Sequence, residues 1–596
     1  MGRLTGPLLQ DRGKETLMKF SVLALDYDGT IARDGVLDPD VKDAIMEARA
    51  RGIVAVLVTG RILSDLKQVS GGVDFVDAIV AENGAVLEFH NGHSILIGQP
   101  PPQVFLDELR RRGVEFKTGQ CVVEMDAGSA QKVLEAIEQL ELPLVLLFNH
   151  SRLMVLPQSI SKGTGLRESL QAFRLSVHNA IAIGDAENDH DLLDTCEVGV
   201  AVSWGSPTLQ KIADEILQGE GPHAVAAYIR RVAQEMRLPR DRSGRHRIAV
   251  GTAENGDPIA IAIQGRNILV IGEPQSGKSW ATGLACEQMI LQGYSVCVID
   301  PEGEYGALES LPGVVVLGGE GPLPDIPDVA RALRHFDMSV VVDLSRAPYE
   351  EKVKYLDALL PMLVSLRRST GLPHRIVVDE AHYFLRQPNV KELLDLELGA
   401  YTIVTYRPSD LHPDLRKDIE VVVAKRLTHP QEVQTLLSMV KTGKIDPGWT
   451  TALGSLATDE AALLPGSENV EGKLRRFKLL PRLTQHVRHK TKYFDLQLLP
   501  GGEFVFTDHG RPIGSSARSL KQFVSLLGGI PAALLGEHAR RGDFSRWIAE
   551  VFHDHRMASD IRKIEQRVRL GYLDDIRESM ATLIQERYSL SRDKTL

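Results

Sequence analysis

Cysteine is scarce in this sequence. Its four residues, Cys121, Cys196, Cys286 and Cys297, are scattered over 596 positions without a C-x-x-C pair, a spacing that fits neither a disulfide framework nor a structural zinc site of that kind. A reducing cytoplasm is the expected setting. No stretch approaches the ~18 uninterrupted apolar residues of a membrane-spanning helix, and the first residues lack a signal-peptide apolar core, so no membrane partner is expected. Aromatic residues make up 5% of the chain, and none interleave with basic residues as a groove that stacks single-stranded bases requires. The formal net charge of -10 excludes a surface coated everywhere in positive charge, while permitting a local basic patch. Internal repeats and low-complexity segments are also missing.

What is there is a length fit for roughly three to four globular domains. After a loose leader, residues 1–17, short apolar runs alternate with amphipathic stretches from 18 to 235: FSVLALD, DPDVKDAIMEARARG, IVAVLVTG, NAIAIGD, DHDLLDTC. That rhythm predicts an α/β domain with a parallel sheet covered by helices on both faces. Between about 84 and 158 the rhythm changes to paired strand-like and helical segments, expected to form an inserted α+β cap. Residues 236–247 carry Pro, Gly, Ser and several arginines without apolar periodicity and read as a linker. Strand-like runs alternate with helices again over 248–494, in RNILVIG, YSVCVID, MSVVVDL, HRIVVDEA and YTIVTY. Residues 495–596 start with EFVFTDHG and become mainly helical.

The stretch LDYDGT, residues 25–30, ends the first apolar run with two aspartates two positions apart. A carboxylate attacks a phosphate monoester only where Mg2+ neutralises charge and a second acid protonates the leaving alkoxide. Asp26, at a strand end, can face the phosphorus; Asp28, on the turn that Gly29 permits, can serve as general acid and base. GDAEND supplies Asp185 and Asp189 as further oxygen ligands for the metal, beside Asp26 and Asp28. Thr59 of VTGR can hydrogen-bond a phosphoryl oxygen, and Lys162 of SKGTG can balance its charge. These residues, in this order, resemble the haloacid dehalogenase superfamily, especially its capped Cof-like branch, over about 19–230. The resemblance implies a Rossmann-like phosphatase core with Asp26 as nucleophile, Asp28 as acid/base, Thr59 and Lys162 as the phosphate-binding pair, and Asp185 with Asp189 as the metal group. Glu82 to Ala85 (ENGA) and Arg61 match that branch too.

GEPQSGKS, residues 272–279, lies between the apolar ILVI and a helical stretch, the setting of a phosphate-cradling loop. The backbone of Gly272, Glu273, Pro274, Gln275, Ser276 and Gly277 would wrap the phosphates of ATP, Lys278 reach the β- and γ-phosphates, and Ser279 hold Mg2+. RIVVDEAH adds Asp379 for the magnesium shell and Glu380 to polarise the attacking water. With IDPEGEY, VTYRPSDL and RLTQHVRHKTKY, the segment 246–495 resembles HerA/FtsK-type ATPases, HerA more closely. That resemblance implies a RecA-like domain in a homo-oligomeric, hexameric ring, with Arg407 beside the γ-phosphate and Arg266 serving a neighbouring subunit's nucleotide. Tyr406 stands where many relatives have Gln.

Eight Lys or Arg residues, two His and no acid lie between Lys473 and Lys492, a run that suits a nucleic-acid backbone or a solvated face equally. In the tail, Phe544 and Trp547 are expected in a core rather than at a ligand, and His538, Arg540 and Arg541 could bind an anion, a reading not favoured. The expected function is a bifunctional oligomeric enzyme whose ATPase organises or gates a Mg2+-dependent phosphatase. Alternatives are a DNA translocase of repair or defence whose phosphatase acts on nucleic-acid ends or nucleotides, and an ATPase carrying a catalytically silent phosphatase fold.

Overall fold

The computed structural model describes residues 18–149, 151–238, 245–263, 265–319, 321–386, 390–440, 446–469, 472–484, 498, 502–508, 511–551, 555–573 and 575–588. The leader 1–17, linker residues 239–244 and the basic residues 485–492 lie outside them. No helix among the described residues is long and apolar enough to cross a membrane.

The phosphatase-like domain is built on an eight-stranded sheet. Its spatial order is Glu215–Leu217, Val198–Val202, Ala180–Gly184, Val22–Asp26, Val54–Val58, Ala78–Ala81, Val86–Phe89 and Ser94–Leu96. The first six are parallel, and the four strands over 22–26, 54–58, 180–184 and 198–202 are aliphatic and buried nearly throughout, as strands covered on both faces must be. The cap was expected to begin near 84, but strands 86–89 and 94–96 add to the core sheet as an antiparallel meander. Two short strands alternating around a turn carry no signal that separates sheet extension from cap. The cap itself is a four-stranded antiparallel sheet, ordered Leu144–Asn149, Arg152–Pro157, Val123–Asp126 and Phe116–Thr118, with helices Gln103–Arg111 and Ala130–Gln139. Phe105, Leu109, Val133, Ile137 and Val155 fill its own small core.

The second domain has an eleven-stranded sheet. Seven parallel strands run in the order Val421–Ala424, Ile268–Ile271, Tyr401–Thr405, Arg375–Val378, Val296–Asp300, Ser339–Asp343 and Val314–Gly318. Antiparallel strands Glu460–Leu463, Arg475–Leu479, Arg247–Ala253 and Pro258–Ala262 extend one edge. Among the described residues the C-terminal region is a hairpin, Phe504–Asp508 with Arg511–Ala517, followed by five helices. Phe504, Phe506, Phe523, Phe544 and Trp547 form its core, with Phe504 and Phe544 stacked at 5.1 Å between ring centroids. His538 is tied into this core, accepting from Thr507 N at 3.0 Å through Nε2 and facing Asp543 at 2.7 Å through Nδ1.

Residues at the amino ends of strands from both large sheets meet. His178 and Asn179, just before strand 180–184, and Glu197, just before strand 198–202, face Gln292, Tyr294 and His374 of the second domain. His178 Nε2 lies 2.9 Å from Gln292 O, Tyr294 donates to Glu197 at 2.7 Å, and His374 Nε2 lies 3.3 Å from Asn179 Oδ1. The His178 and Tyr294 rings stack at 3.6 Å. Arg245 pins the end of the linker to the first domain, donating to Asp214 at 3.1 Å, Leu193 O at 2.9 Å and Cys196 O at 3.2 Å.

Candidate active sites

The first cluster sits at the carboxyl ends of three adjacent parallel strands. Asp26 ends strand 22–26, Thr59 follows strand 54–58, and Asp185 follows strand 180–184. Lys162 begins the helix Lys162–Phe173, whose start Ser161 and Thr164 fix with a capping box. Gly84 adopts φ +105, and a Cβ there would run into Ser161 O, so only glycine lets the ENGA segment approach the helix that presents Lys162.

Lys162 Nζ donates to Asp26 Oδ1 at 2.6 Å and to Asp189 Oδ1, with both pairs almost wholly buried. Asp189 Oδ2 accepts from the amides of Asp185 and Ala186, each at 3.0 Å. Both Asp189 oxygens accept hydrogen bonds within the protein, which ties Lys162 to the turn after strand 180–184. Burial, and then the charge of Asp189, push the Asp26 carboxyl well above the usual carboxylate range, against the opposing pull of Lys162. Asp185 is raised to about 6, by burial first and then by Asp189. Burial opposes the charge on Lys162, but Asp189 and Asp26 outweigh it and hold the ammonium above its ordinary value.

Carboxylate oxygens of Asp26, Asp185 and Asp189 lie within 4.8 Å of one another. Three acids share one lysine in a buried site, and two are raised, by burial first and by the neighbouring carboxylate second. This donor set suits a hard cation such as Mg2+. The fourth expected member stands apart: the Asp28 side chain is half-exposed and turned to Arg61, in hydrogen bonds of 2.6 Å from Nε to Oδ2 and from Nη2 to Oδ1. Arg61 was noted in the sequence for its motif, but its pairing was not legible there. Thr59 is buried, and its hydroxyl accepts from Arg61 N at 3.1 Å. Glu82 also has a role that the motif alone did not reveal. Its buried carboxylate accepts from the amides of Gln120, Cys121 and Val122 at 3.0, 2.8 and 3.1 Å, fastening the core to the cap.

The second cluster occupies the carboxyl edge of the other sheet. Gly272 to Gly277 leave strand 268–271 and lead into the helix Lys278–Leu291; Gly277 has φ +93 and Gln275 φ +64. Lys278 Nζ donates to Glu273 O at 3.2 Å, closing the loop. Ser276 Oγ is buried without a hydrogen-bond partner, and Pro274 and Ser279 complete the loop and its helix start. A turn with positive-φ backbone, a lysine at the start of the following helix and an unsatisfied hydroxyl fits a nucleotide phosphate. Strand 401–405 separates the loop strand from strand 375–378, after which Asp379 and Glu380 are both buried, Glu380 at φ +47. His382 Nδ1 lies 3.4 Å from Glu380 Oε2, and burial above all lowers His382 to about 4. Tyr406 lies between two cations: its ring centroid is 5.8 Å from Lys278 Nζ and 5.1 Å from the Arg407 guanidinium.

Arg266 lies at the other end of strand 268–271 from the loop, in ion pairs with Glu420 at 3.2 Å and Glu468 at 3.6 Å. Within the basic run, Arg482 is fully buried on Glu287 at 2.7 Å, while Arg476 and Lys478 pair with Glu460 and Asp459. In IDPEGEY, Asp300 shapes the loop by accepting from Glu304 N at 3.0 Å and Tyr305 N at 2.9 Å. Sequence reasoning missed Lys425, a buried lysine directly after the apolar VVVA strand. Its Nζ donates to Thr458 O at 2.9 Å, and it packs against Gly272 and Gly277 of the loop.

Two family models match the chain, one in each of the two large domains. The family model for haloacid dehalogenase-like hydrolases matches residues 23–109 and 98–229, and that for the central domain of helicase HerA matches residues 250–370. A phosphoglycolate phosphatase of Methanothermobacter thermautotrophicus is 26% identical over 217 residues, 35% of this chain and 97% of that protein. Phosphoglycolate phosphatase 2 of Saccharolobus solfataricus is 27% identical over 207 residues, 33% and 85% respectively. Among solved structures, a haloacid dehalogenase-like hydrolase from Bacteroides thetaiotaomicron aligns at 19% identity with TM-score 0.33, covering 36% of this chain and 100% of that one. The chain joins a haloacid dehalogenase-type phosphatase domain to a HerA-type P-loop ATPase domain.

Proposed function

We propose that the protein is a Mg2+-dependent phosphomonoester phosphatase whose activity is set by the nucleotide state of its own ATPase domain. In the first half-reaction an Asp26 oxygen attacks phosphorus, the bond to the ester oxygen breaks, and Asp28 gives that oxygen its proton. In the second, Asp28 takes a proton from water, which attacks the aspartyl-phosphate and frees phosphate and Asp26. Asp28 must leave Arg61 for both steps. Lys162 holds one Asp26 oxygen and directs the other toward substrate. Asp26 and Asp185 would hold the Mg2+, which supplies charge neutralisation when bound.

In the ATPase, Lys278 and the loop amides bind phosphates, Ser279 and Asp379 would hold Mg2+, and Glu380 orients water. Arg407, on the same rim, neutralises developing charge. The HerA likeness supports a homo-oligomeric, hexameric ring. In such a ring Arg266, kept from its own phosphate loop by its position, serves the neighbour's nucleotide.

The observation that carries the coupling is the helix Lys278–Leu291. It spans about 21 Å at 1.5 Å per residue, with the nucleotide loop at one end and Gln292 and Tyr294 at the other. Those two residues rest on His178 and Glu197, and His178 opens onto strand 180–184, which Asp185 follows. Asp26→Asn tests the phosphatase half: hydrolysis across a panel of phosphomonoesters headed by phosphoglycolate is lost, while ATP turnover persists. Full phosphatase activity in that variant rejects the assignment.

A further inference from the structure

Where the two domains meet, the structure brings together three metal-ligating side chains that neither catalytic site uses. One ring nitrogen of His178, one of His246 and a carboxylate oxygen of Glu197 lie within 4.8 Å of one another. His178 and Glu197 belong to the phosphatase domain. His246 belongs to the strand edge of the ATPase domain, where its carbonyl accepts from Ile263 N at 3.2 Å.

The hydrogen bonds around the cluster define its chemistry. His178 Nε2 faces a carbonyl, Gln292 O, at 2.9 Å, and His246 Nε2 faces another, Cys196 O, at 3.1 Å. A carbonyl can only accept, so each Nε2 carries its hydrogen, and a neutral ring then has its lone pair at Nδ1. Such a backbone anchor on the second nitrogen is the arrangement that orients metal-binding imidazoles. His178 Nδ1 is 3.1 Å from Glu197 Oε2, so a cation must lie between lone pair and carboxylate: either a proton or a metal. A proton there answers only that one contact. It leaves Glu197 Oε1, which is buried without a hydrogen-bond partner, still unsatisfied. A metal engages the carboxylate and both imidazoles together. Tetrahedral donors about 2.0 Å from zinc stand roughly 3.3 Å apart, close to the His178–Glu197 separation.

We propose that His178, Glu197 and His246 form a transition-metal site, of the kind that takes Zn2+, clasping the phosphatase domain to the ATPase domain. Two imidazoles and a carboxylate select a borderline cation over Mg2+, so this site and the Asp26/Asp185 site are chemically distinct.

The test is the zinc content of the full-length chain, supplied with Zn2+ and then dialysed into Mg2+ buffer. One zinc per chain is expected. Glu197→Gln and His246→Gln should lose it, whereas Asp185→Asn, which alters the other carboxylate cluster, should retain it. Cobalt exchanged into the wild type should give the strong visible absorption of a tetrahedral nitrogen–oxygen site, absent from His246→Gln. Should His246→Gln fail to fold by circular dichroism, His246→Cys offers a thiolate in the same place and should restore zinc. Folded wild type that holds no zinc overturns the proposal, leaving a doubly protonated His178 between Gln292 O and Glu197. Equal zinc in wild type, Glu197→Gln and His246→Gln overturns it too.

Discussion

Arg61 grips Asp28 in a two-pronged ion pair, Nε to Oδ2 and Nη2 to Oδ1, both at 2.6 Å. The guanidinium also lies 5.6 Å from the centre of the Tyr27 ring. The proposed acid/base is thus parked away from Asp26, and an incoming phosphate dianion competes for the arginine that parks it. Lysine keeps the charge but cannot reproduce the fork. Arg61→Lys is expected to lower kcat for phosphomonoester hydrolysis about tenfold, less than the ~10² to 10⁴ expected for Asp28→Asn. ATP turnover serves as the internal control. An Arg61→Lys enzyme as fast as wild type would remove Arg61 from the cycle.

Lys162 pairs with both Asp26 and Asp189, and it is buried. Removing one partner of a buried ion pair costs about 3–5 kcal/mol, because charge is left uncompensated. Lys162→Met should destabilise the phosphatase domain by an amount in that range in chelator and by less in Mg2+, as read from urea melts. Equal stability of variant and wild type in chelator contradicts this electrostatic picture.

Lys425 reports on the packing beneath the nucleotide loop. Burial lowers its pKa from 10.5 to about 8. Between those values the unfolded chain binds more protons than the folded one, so stability from this group rises as pH increases from about 8 to 10.5. Denaturant melts at both ends of that window should show the rise, and Lys425→Met should flatten it. The same slope in both proteins would show that burial does not lower the Lys425 pKa.

The positions of the candidate groups at strand ends were legible in the sequence because phosphoryl chemistry needs particular side chains there, and strand ends are marked by apolar runs. Asp26 and Lys278 are examples. Partnerships across long stretches of chain were not legible. Nothing in the basic run distinguishes Arg482, which is buried against Glu287, from Lys473 and Lys478, which are exposed. Glu82 reads as part of a motif, but its grip on three cap amides exists only once the cap has folded over it. The edge strands Val86–Phe89 and Ser94–Leu96 were placed with the cap because a short alternating strand does not announce which sheet it joins. His178, Glu197 and His246 are separated by tens of residues, and each alone reads as an ordinary polar residue beside a strand.

The central claim is that the nucleotide loop and the phosphatase centre communicate through the helix Lys278–Leu291 and the contacts of Tyr294 and Gln292 with Glu197 and His178. The direct measurement is phosphomonoester turnover by the full-length protein, with and without saturating ATP, in wild type and in Lys278→Ala. The account predicts that ATP changes the wild-type rate and leaves the Lys278→Ala rate unaltered, and that Tyr294→Phe, which loses the hydroxyl donated to Glu197, weakens the response. A wild-type phosphatase rate indifferent to ATP, with ATP hydrolysis intact in the same sample, would contradict it and leave two enzymes that share only a chain.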